Sequence, residues 1–377
     1  MINLIDMSIC RIIIFLLFAC PSYGQELDFK TNNRLILGMY EELSASMSTG
    51  DIDGDGDLDV VVANGRHWPG QNRIFVNNGK GIFTVSRLLG LESATSYATR
   101  LADFDGDGDL DIAVGNDRAP NNLFFNDGHG HFSKAGTFGK VDVPSRNITL
   151  ADIDGDGDMD ILITNRGGEN EICLNDGHGQ FSEQQSFGSK DDSTIDVEVA
   201  DIDKDGDNDL ILANRDEQQN YIYLNDGLLD FSKRIAFGTG TDNTRSVAVG
   251  DYDADGYLDI ATANIGEANS IYYGDATMSF SKSMTYDTSD ARSYTIAVGD
   301  FNRDGYPDIV VGNVGSPNAV FINRPKQDGW HEMMLKEEDY NTYNVSVADL
   351  NGDGRMDILE CNSDKINRFY LNLELTE

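Results

Sequence analysis

Cysteine is scarce in this chain of 377 residues: there are four, and two of them, Cys10 and Cys20, sit in an apolar leader. The other two, Cys173 and Cys361, lie far apart inside apolar, strand-like runs. They read as buried free thiols, so disulfides are not what organises the fold. Histidine (five) and tryptophan (two) are almost as rare, and no nucleophile motif is present. Positive charge is also short. The 28 Lys and Arg face 65 Asp and Glu, a net charge of −37. That balance argues against nucleic acid or an anionic membrane as the main partner. It fits cations, basic partners or a solvated exterior. A hydrophobic content of 40% is ample for a core and excludes a disordered acidic chain.

Only one long apolar run occurs, Ile12 to Ala19 (IIIFLLFA), too short to span a bilayer. Arg11 precedes it, and Ser22 and Gly24 are small residues before a cut at Gln25. Residues 1–24 therefore read as a signal peptide. A second reading ends the leader at Cys20 (LFAC) with a lipid anchor. Either way the expected location is outside the cytoplasm: periplasmic, at the cell surface or secreted. No membrane span is expected in 25–377.

What is abundant is aspartate, in one phrase. DIDGDGDLD and its variants begin at Asp51, Asp103, Asp152, Asp201, Asp251, Asp300 and Asp349, a period near 50. An alternating run precedes each copy, as in RSVAVGD, and ends in a small residue. A second strand follows and ends in Asn at 64, 116, 165, 214, 264, 313 and 362. Then come a short loop, a third strand, a tight turn such as NDGHGHF, and a fourth strand beginning at Phe83, Phe132, Phe181, Phe231, Phe280 and Trp330. Four antiparallel strands repeated seven times predict an all-β fold, a seven-bladed β-propeller of four-stranded blades. The last unit stops after its third strand, at NRFYLNLELTE. LDFK (Leu27 to Lys30) echoes LDFSK at Leu229 to Lys233, so the N-terminal segment is expected to complete the last blade. Residues 25–377 then form one domain, and a monomer is expected.

The seven phrases can be aligned position by position. Position 1 holds Asp51, Asp103, Asp152, Asp201, Asp251, Asp300 and Asp349. Position 3 holds Asp53, Asp105, Asp154, Asp203, Asp253, Asn302 and Asn351. Position 5 holds Asp55, Asp107, Asp156, Asp205, Asp255, Asp304 and Asp353. Position 7 is Asp57, Asp109, Asp158, Asp207, Tyr257, Tyr306 and Arg355. Position 9 is Asp59, Asp111, Asp160, Asp209, Asp259, Asp308 and Asp357. A position that accepts Arg offers its carbonyl rather than its side chain. Side-chain oxygens at 1, 3, 5 and 9 with the carbonyl at 7 make an oxygen cage. Position 9, taken as bidentate, brings it to six ligands, the shell Ca²⁺ prefers. Zn²⁺ would want His or Cys, absent from these loops. An EF-hand needs Glu at position 12, where Val62, Val114, Ile163, Leu212, Thr262 and Val311 stand in six of the seven copies. Up to seven Ca²⁺ are expected, held by loops that carry 30 of the 65 acidic residues. Asn302 and Asn351 make the last two loops the weakest.

AVGDFNRDGYPDIVVGN (Ala297 to Asn313) resembles the FG-GAP, or VCBS, repeat of integrin α-subunit propellers and many exported bacterial proteins. The resemblance spans nearly the whole mature chain. It implies a seven-bladed propeller with Ca²⁺ in loops on one face and recognition on the opposite face. All seven loops look competent here, whereas integrins fill only some.

Candidate ligand residues lie on the face opposite the Asp loops. The longest loop between second and third strands runs from Gly65 to Gln71 and contains Arg66, His67 and Trp68. Trp68 suits sugar stacking or an interface anchor; the alternative is a plug folded onto the loop. Six residues before each phrase stand Ala45, Tyr97, Arg146, Ile195, Arg245, Tyr294 and Tyr343, which would ring the channel mouth. They either fill the mouth or bind an anionic sugar or acidic peptide. Arg100, Asp196 and Glu198 lie deeper and are expected to be paired or watered. Asn pairs such as Asn313 and Asn318 read as turn caps. Two functions follow. One is an exported binding or adhesion module for a glycan or extracellular protein. The alternative is a lyase on acidic polysaccharide using His67 with Tyr97, Arg146 or Tyr294. Little else in the chain signals an enzyme.

Overall fold

The computed structural model describes residues 27–326, 329–336 and 339–374, and among these there are only strands, turns and loops. The leader and its cleavage site lie outside the described residues. Five sheets have four antiparallel strands in sequence order, the first being Ser96–Ala102, Asp111–Asn116, Asn121–Phe125 and Ser133–Phe138. A seven-stranded sheet contains the first and the last of the described strands. In it Leu27–Lys30 pairs antiparallel with the strand Asp357–Glu374, Leu27 opposite Glu374 and Lys30 opposite Leu371. The N-terminal strand thus completes the last unit.

The second strand of each unit is buried along its whole length in the first six copies, as in Asp59–Asn64 and Asp308–Asn313. It is covered on both faces because blades stack face to face, which explains runs such as DVVVAN in place of alternation. The fourth strands are the wet outer edges; Val85–Leu88 is exposed throughout. The first strands contact one another in order, from Ile36–Gly50 against Ser96–Ala102 through to Ser293–Gly299 against Asn341–Ala348. Asn341–Ala348 in turn packs against Ile36–Gly50. The fold is a β-propeller.

Two belts of asparagine side chains cross the boundaries between units. On one face, Asn64 N–H donates to Asn72 Oδ1 at 2.9 Å, Asn72 Nδ2 to Ser96 Oγ at 3.0 Å, and Ser96 Oγ to Asn116 Oδ1 at 2.7 Å. The pattern recurs through Asn269, Ser293, Asn313, Asn318, Thr342 and Asn362. The Asn pairs are turn caps, as expected, and also links to the next unit. On the other face, the turn residue Asn126 donates to the Ile52 carbonyl of the preceding unit at 2.8 Å. Asn175, Asn323 and Asn372 do the same to Phe104, Tyr252 and Phe301, and Asn77 to Leu350. Gly274 takes this place in the fifth unit. There Lys204, from the fourth Asp loop, donates to the Gly256 carbonyl and lies 4.0 Å over the Tyr257 ring.

Candidate functional site

Each Asp loop closes a hairpin whose last pair is a small residue opposite position 9, such as Gly50 opposite Asp59 and Ala348 opposite Asp357. Gly56, at φ 92°, allows the turn between them. Position 1 caps the loop from below: Asp51 accepts the amides of Gly54 and Gly56 at 2.8 and 2.9 Å. Position 9 is a brace. Asp59 Oδ1 accepts Asn77 N–H at 2.7 Å and Oδ2 accepts Ile52 N–H at 3.4 Å. The same two bonds recur in every unit, for example Asp308 with Asn323 and Phe301. Burial pushes these carboxyls up, to about 6 at Asp59 and about 7 at Asp308 and Asp357.

Carboxylate oxygens of positions 1, 3 and 9 lie within 4.8 Å of one another in the first four loops: Asp51, Asp53 and Asp59, and their equivalents. In the fifth, Asp251, Asp253 and Asp255 do so. Crowding of like charges in a half-buried loop is unfavourable. Burial and neighbouring carboxylates raise the carboxyls of Asp53, Asp105, Asp154 and Asp203. Oδ1 of Asp53, Asp152, Asp201 and Asp253 is buried without a hydrogen-bond donor. One orphaned buried oxygen in each of these four loops, set among carboxylates that converge, fits a hard cation with oxygen ligands. The side chains of Asp57, Asp109, Asp158 and Asp207, at position 7, lie instead against the glycines of the next hairpin turn, Gly79, Gly128, Gly177 and Gly227. In the last two loops the Asn302 and Asn351 amides donate to Asp304 and Asp353 at 3.0 and 3.1 Å.

On the opposite face, the mouth residues share a backbone device. The register of every first strand shifts across one residue: 45, 97, 146, 195, 245, 294 and 343. Each is the extra residue of a β-bulge, which re-aims its side chain. Ala45 and Ile195 are buried. The others form two clusters with the long loop. Tyr97 Oη lies 2.9 Å from His67 Nδ1, and the Arg146 guanidinium stacks 4.5 Å over the Tyr97 ring. Asp117 pairs with Arg146 at 2.9 Å. Arg66 stacks 3.4 Å over Tyr343, which packs edge-on to Tyr294 at 5.1 Å. Arg245 and Arg292 each lie 5.6 Å from the Tyr294 ring centre, and Arg292 donates to its hydroxyl at 3.0 Å.

Partial desolvation of its ring, reinforced by Arg66 and Arg146, holds His67 below its ordinary value, which favours the neutral form at pH 7. It is exposed and sits at φ 67°, on a loop pinned at its base by the bridge between Gly70 and Ala94. Trp68 is 71% exposed and does not plug the loop. Met39 and Tyr40, early in the strand Ile36–Gly50, and Leu91 and Val141, in loops that lead into first strands, add exposed apolar side chains. Below the mouth, Arg100 donates to Asn147 Oδ1 at 3.1 Å, and Asn147 and Ser246 donate to Asp196 at 2.5 and 2.8 Å. The channel charges are thus linked through Asn147. Sequence reasoning missed Asp117, Asn147 and Arg292, which lie off the repeat positions that drew attention; their signal is adjacency to the bulges. His129, His131 and His178 lie in hairpin turns on the Asp-loop side, away from His67.

No curated protein matches the sequence. Among solved structures, the fold is similar to BBS1N in complex with ARL6DN (TM-score 0.62, 11% identity, covering 93% of this chain and 98% of that one). It is similar to an Agrocybe aegerita lectin that recognises non-reducing terminal N-acetylglucosamine (TM-score 0.58, 19% identity, covering 79% and 82%). The extracellular domain of the putative one-component system BT4673 from B. thetaiotaomicron also matches (TM-score 0.56, 12% identity, covering 92% of this chain and 40% of that one). Overlapping FG-GAP-like repeats match residues 51–114, 103–163, 152–212, 201–262, 251–311 and 300–360. The chain therefore belongs to the FG-GAP-like repeat family.

Proposed function

We propose that this is an exported, calcium-stabilised propeller of seven blades that binds a glycan or an extracellular protein at its channel mouth. The observation that carries the reading is the convergence of bulge-aimed Tyr97, Arg146, Arg245, Tyr294 and Tyr343 with loop residues Arg66 and His67. Trp68 stands exposed beside them. Two similar folds are a partner-bound protein and a lectin, which accords with a binding role. Calcium would be held by the oxygens of positions 1, 3, 5 and 9 and the carbonyl of position 7. Its part is structural: it neutralises carboxylates that otherwise repel one another. The leader supports export, and the acidic surface disfavours nucleic acid.

A second reading, a lyase on acidic polysaccharide, is favoured by one observation: neutral His67 hydrogen-bonded to Tyr97 beside Arg146 is the pair of base and charge neutraliser that such chemistry needs. One experiment separates the two. The mature protein, in millimolar Ca²⁺, is passed over neutral and acidic polysaccharides, and retention and new unsaturated ends are recorded. Retention without cleavage supports the binding module. Unsaturated ends establish the lyase. Neither signal leaves the extracellular protein ligand, to be sought by pull-down.

A further inference from the structure

We propose that the mouth is a site for one sugar carboxylate, with Arg66 and Arg245 as its anion-binding pair, so that the ligand is an oligosaccharide ending in a sugar acid. The inference rests on the reading of the mouth as a glycan site. It starts from an imbalance of charge. In a chain with net charge −37, Arg66, Arg146 and Arg245 gather at one opening, and of these only Arg146 has a carboxylate beside it, Asp117. Among the described residues, Arg66 and Arg245 have ring faces and no carboxylate within 4.0 Å. Asp196, the acid below Arg245, already has both oxygens engaged by Asn147, Ser246 and the Val247 amide. Burial lowers both guanidinium groups, and Arg66 adds to the lowering of Arg245. Asp364 and Asp196 offset this lowering only in part, so two like charges in a partly desolvated place are stabilised by an incoming anion.

Size and charge limit what that anion is. The cavity below the mouth is about 90 Å³, well under the ~300–1,000 Å³ of pockets that enclose a small molecule. Asp196 and Glu198 line that cavity together with Arg245, so the carboxylate stays at its rim beside Arg66 and Arg245, and the sugar ring lies above, where Trp68 offers a flat apolar face. The rest of the acidic surface repels a dense polyanion, but beyond about 8 Å that repulsion is screened at physiological salt. A single terminal acid therefore suits the site better than a run of them.

Calcium-loaded protein would be titrated calorimetrically with oligosaccharides ending in a uronic or sialic acid, each beside its carboxyl-reduced counterpart, and with a glutamate-rich peptide. Binding of an acidic member, lost on reduction and weakened at least tenfold in Arg66→Gln and Arg245→Gln, is the expected result. Equal binding of the reduced forms overturns the anion site but leaves the glycan reading intact. No binding of any sugar overturns both, and binding of the peptide alone replaces the sugar acid with a protein ligand. A readout that needs no ligand is the melting temperature. Arg245→Gln leaves Asp196 its three hydrogen-bond donors and should leave that temperature unchanged; a fall assigns Arg245 to the fold and overturns the proposal.

Discussion

Asn367 donates its side-chain amide to Ser44 Oγ at 3.0 Å, across 323 positions of sequence. This bond joins the last unit to the first, and Asn367 Oδ1 also accepts the Asn362 amide at 2.7 Å. Asn367→Ala strands the buried Asn362 N–H and removes one of the two bonds at Ser44 Oγ, which keeps the one to Asn64. It should lower stability by about 1–3 kcal/mol, read as a shift in the urea midpoint. An unchanged midpoint would show that the seam rests on its other links, the strand Leu27–Lys30 and the Asn77 bond to the Leu350 carbonyl among them.

Calcium dependence can be read loop by loop. Asp203→Asn gives the fourth loop the amide that stands at Asn302 and Asn351. The variant should lose one tight site. In saturating Ca²⁺ it should lose roughly 1.4 kcal/mol for a site held at tenfold excess over Kd. In chelator its stability should match or exceed the parent's, because burial and Asp205 already disfavour the Asp203 carboxylate. A calcium titration of the parent should resolve five tighter sites and two weaker ones; seven equal affinities would contradict the part assigned to Asn302 and Asn351.

Glu198 supplies a pH signature. Burial in the channel, with Asp196 beside it, holds its carboxyl well above its ordinary value of 4.5, and Arg100 offsets only part of this. The folded protein therefore keeps a proton that the unfolded chain releases. The resulting stability is complete below about pH 4.5 and is lost as pH rises through the folded value. Glu198→Gln should flatten this fall in stability between about pH 5 and 8. Parallel curves for parent and variant would assign the slope elsewhere.

Trp68 is the cleanest test of the mouth. Its side chain is 71% exposed, so Trp68→Ala should change stability by no more than about 0.5 kcal/mol. Ligand retention should fall at least tenfold. If retention is unchanged, the contact surface lies elsewhere on that face.

Much of this molecule is legible because it repeats. Seven aligned copies separate what the unit needs from what varies, and the echo of Leu229 to Lys233 in Leu27 to Lys30 foretells how the chain ends meet. The bulges at Tyr97, Arg146 and Arg245 are hidden for the same reason. An extra residue present in every copy looks like ordinary alternation, so spacing finds the mouth positions but not the device that aims them. Asn72 and Asn318 read as caps because local turn chemistry is visible in sequence; their bonds to Ser96 and Thr342 depend on a neighbouring blade. Asp59 looks like a pure ligand. The amides of Ile52 and Asn77 that it accepts are backbone groups, which a sequence pattern does not display.

The belt on the Asp-loop face has one irregular joint. Where Gly274 replaces the asparagine, the fourth and fifth units are held there by the flexible arm of Lys204, on the exposed surface. A ring under tension parts at its softest joint. Thermal opening should begin between these two units rather than where Leu27–Lys30 pairs with the strand Asp357–Glu374. The unit that joins the first described strand to the last is thus better fastened than a joint in the middle of the chain.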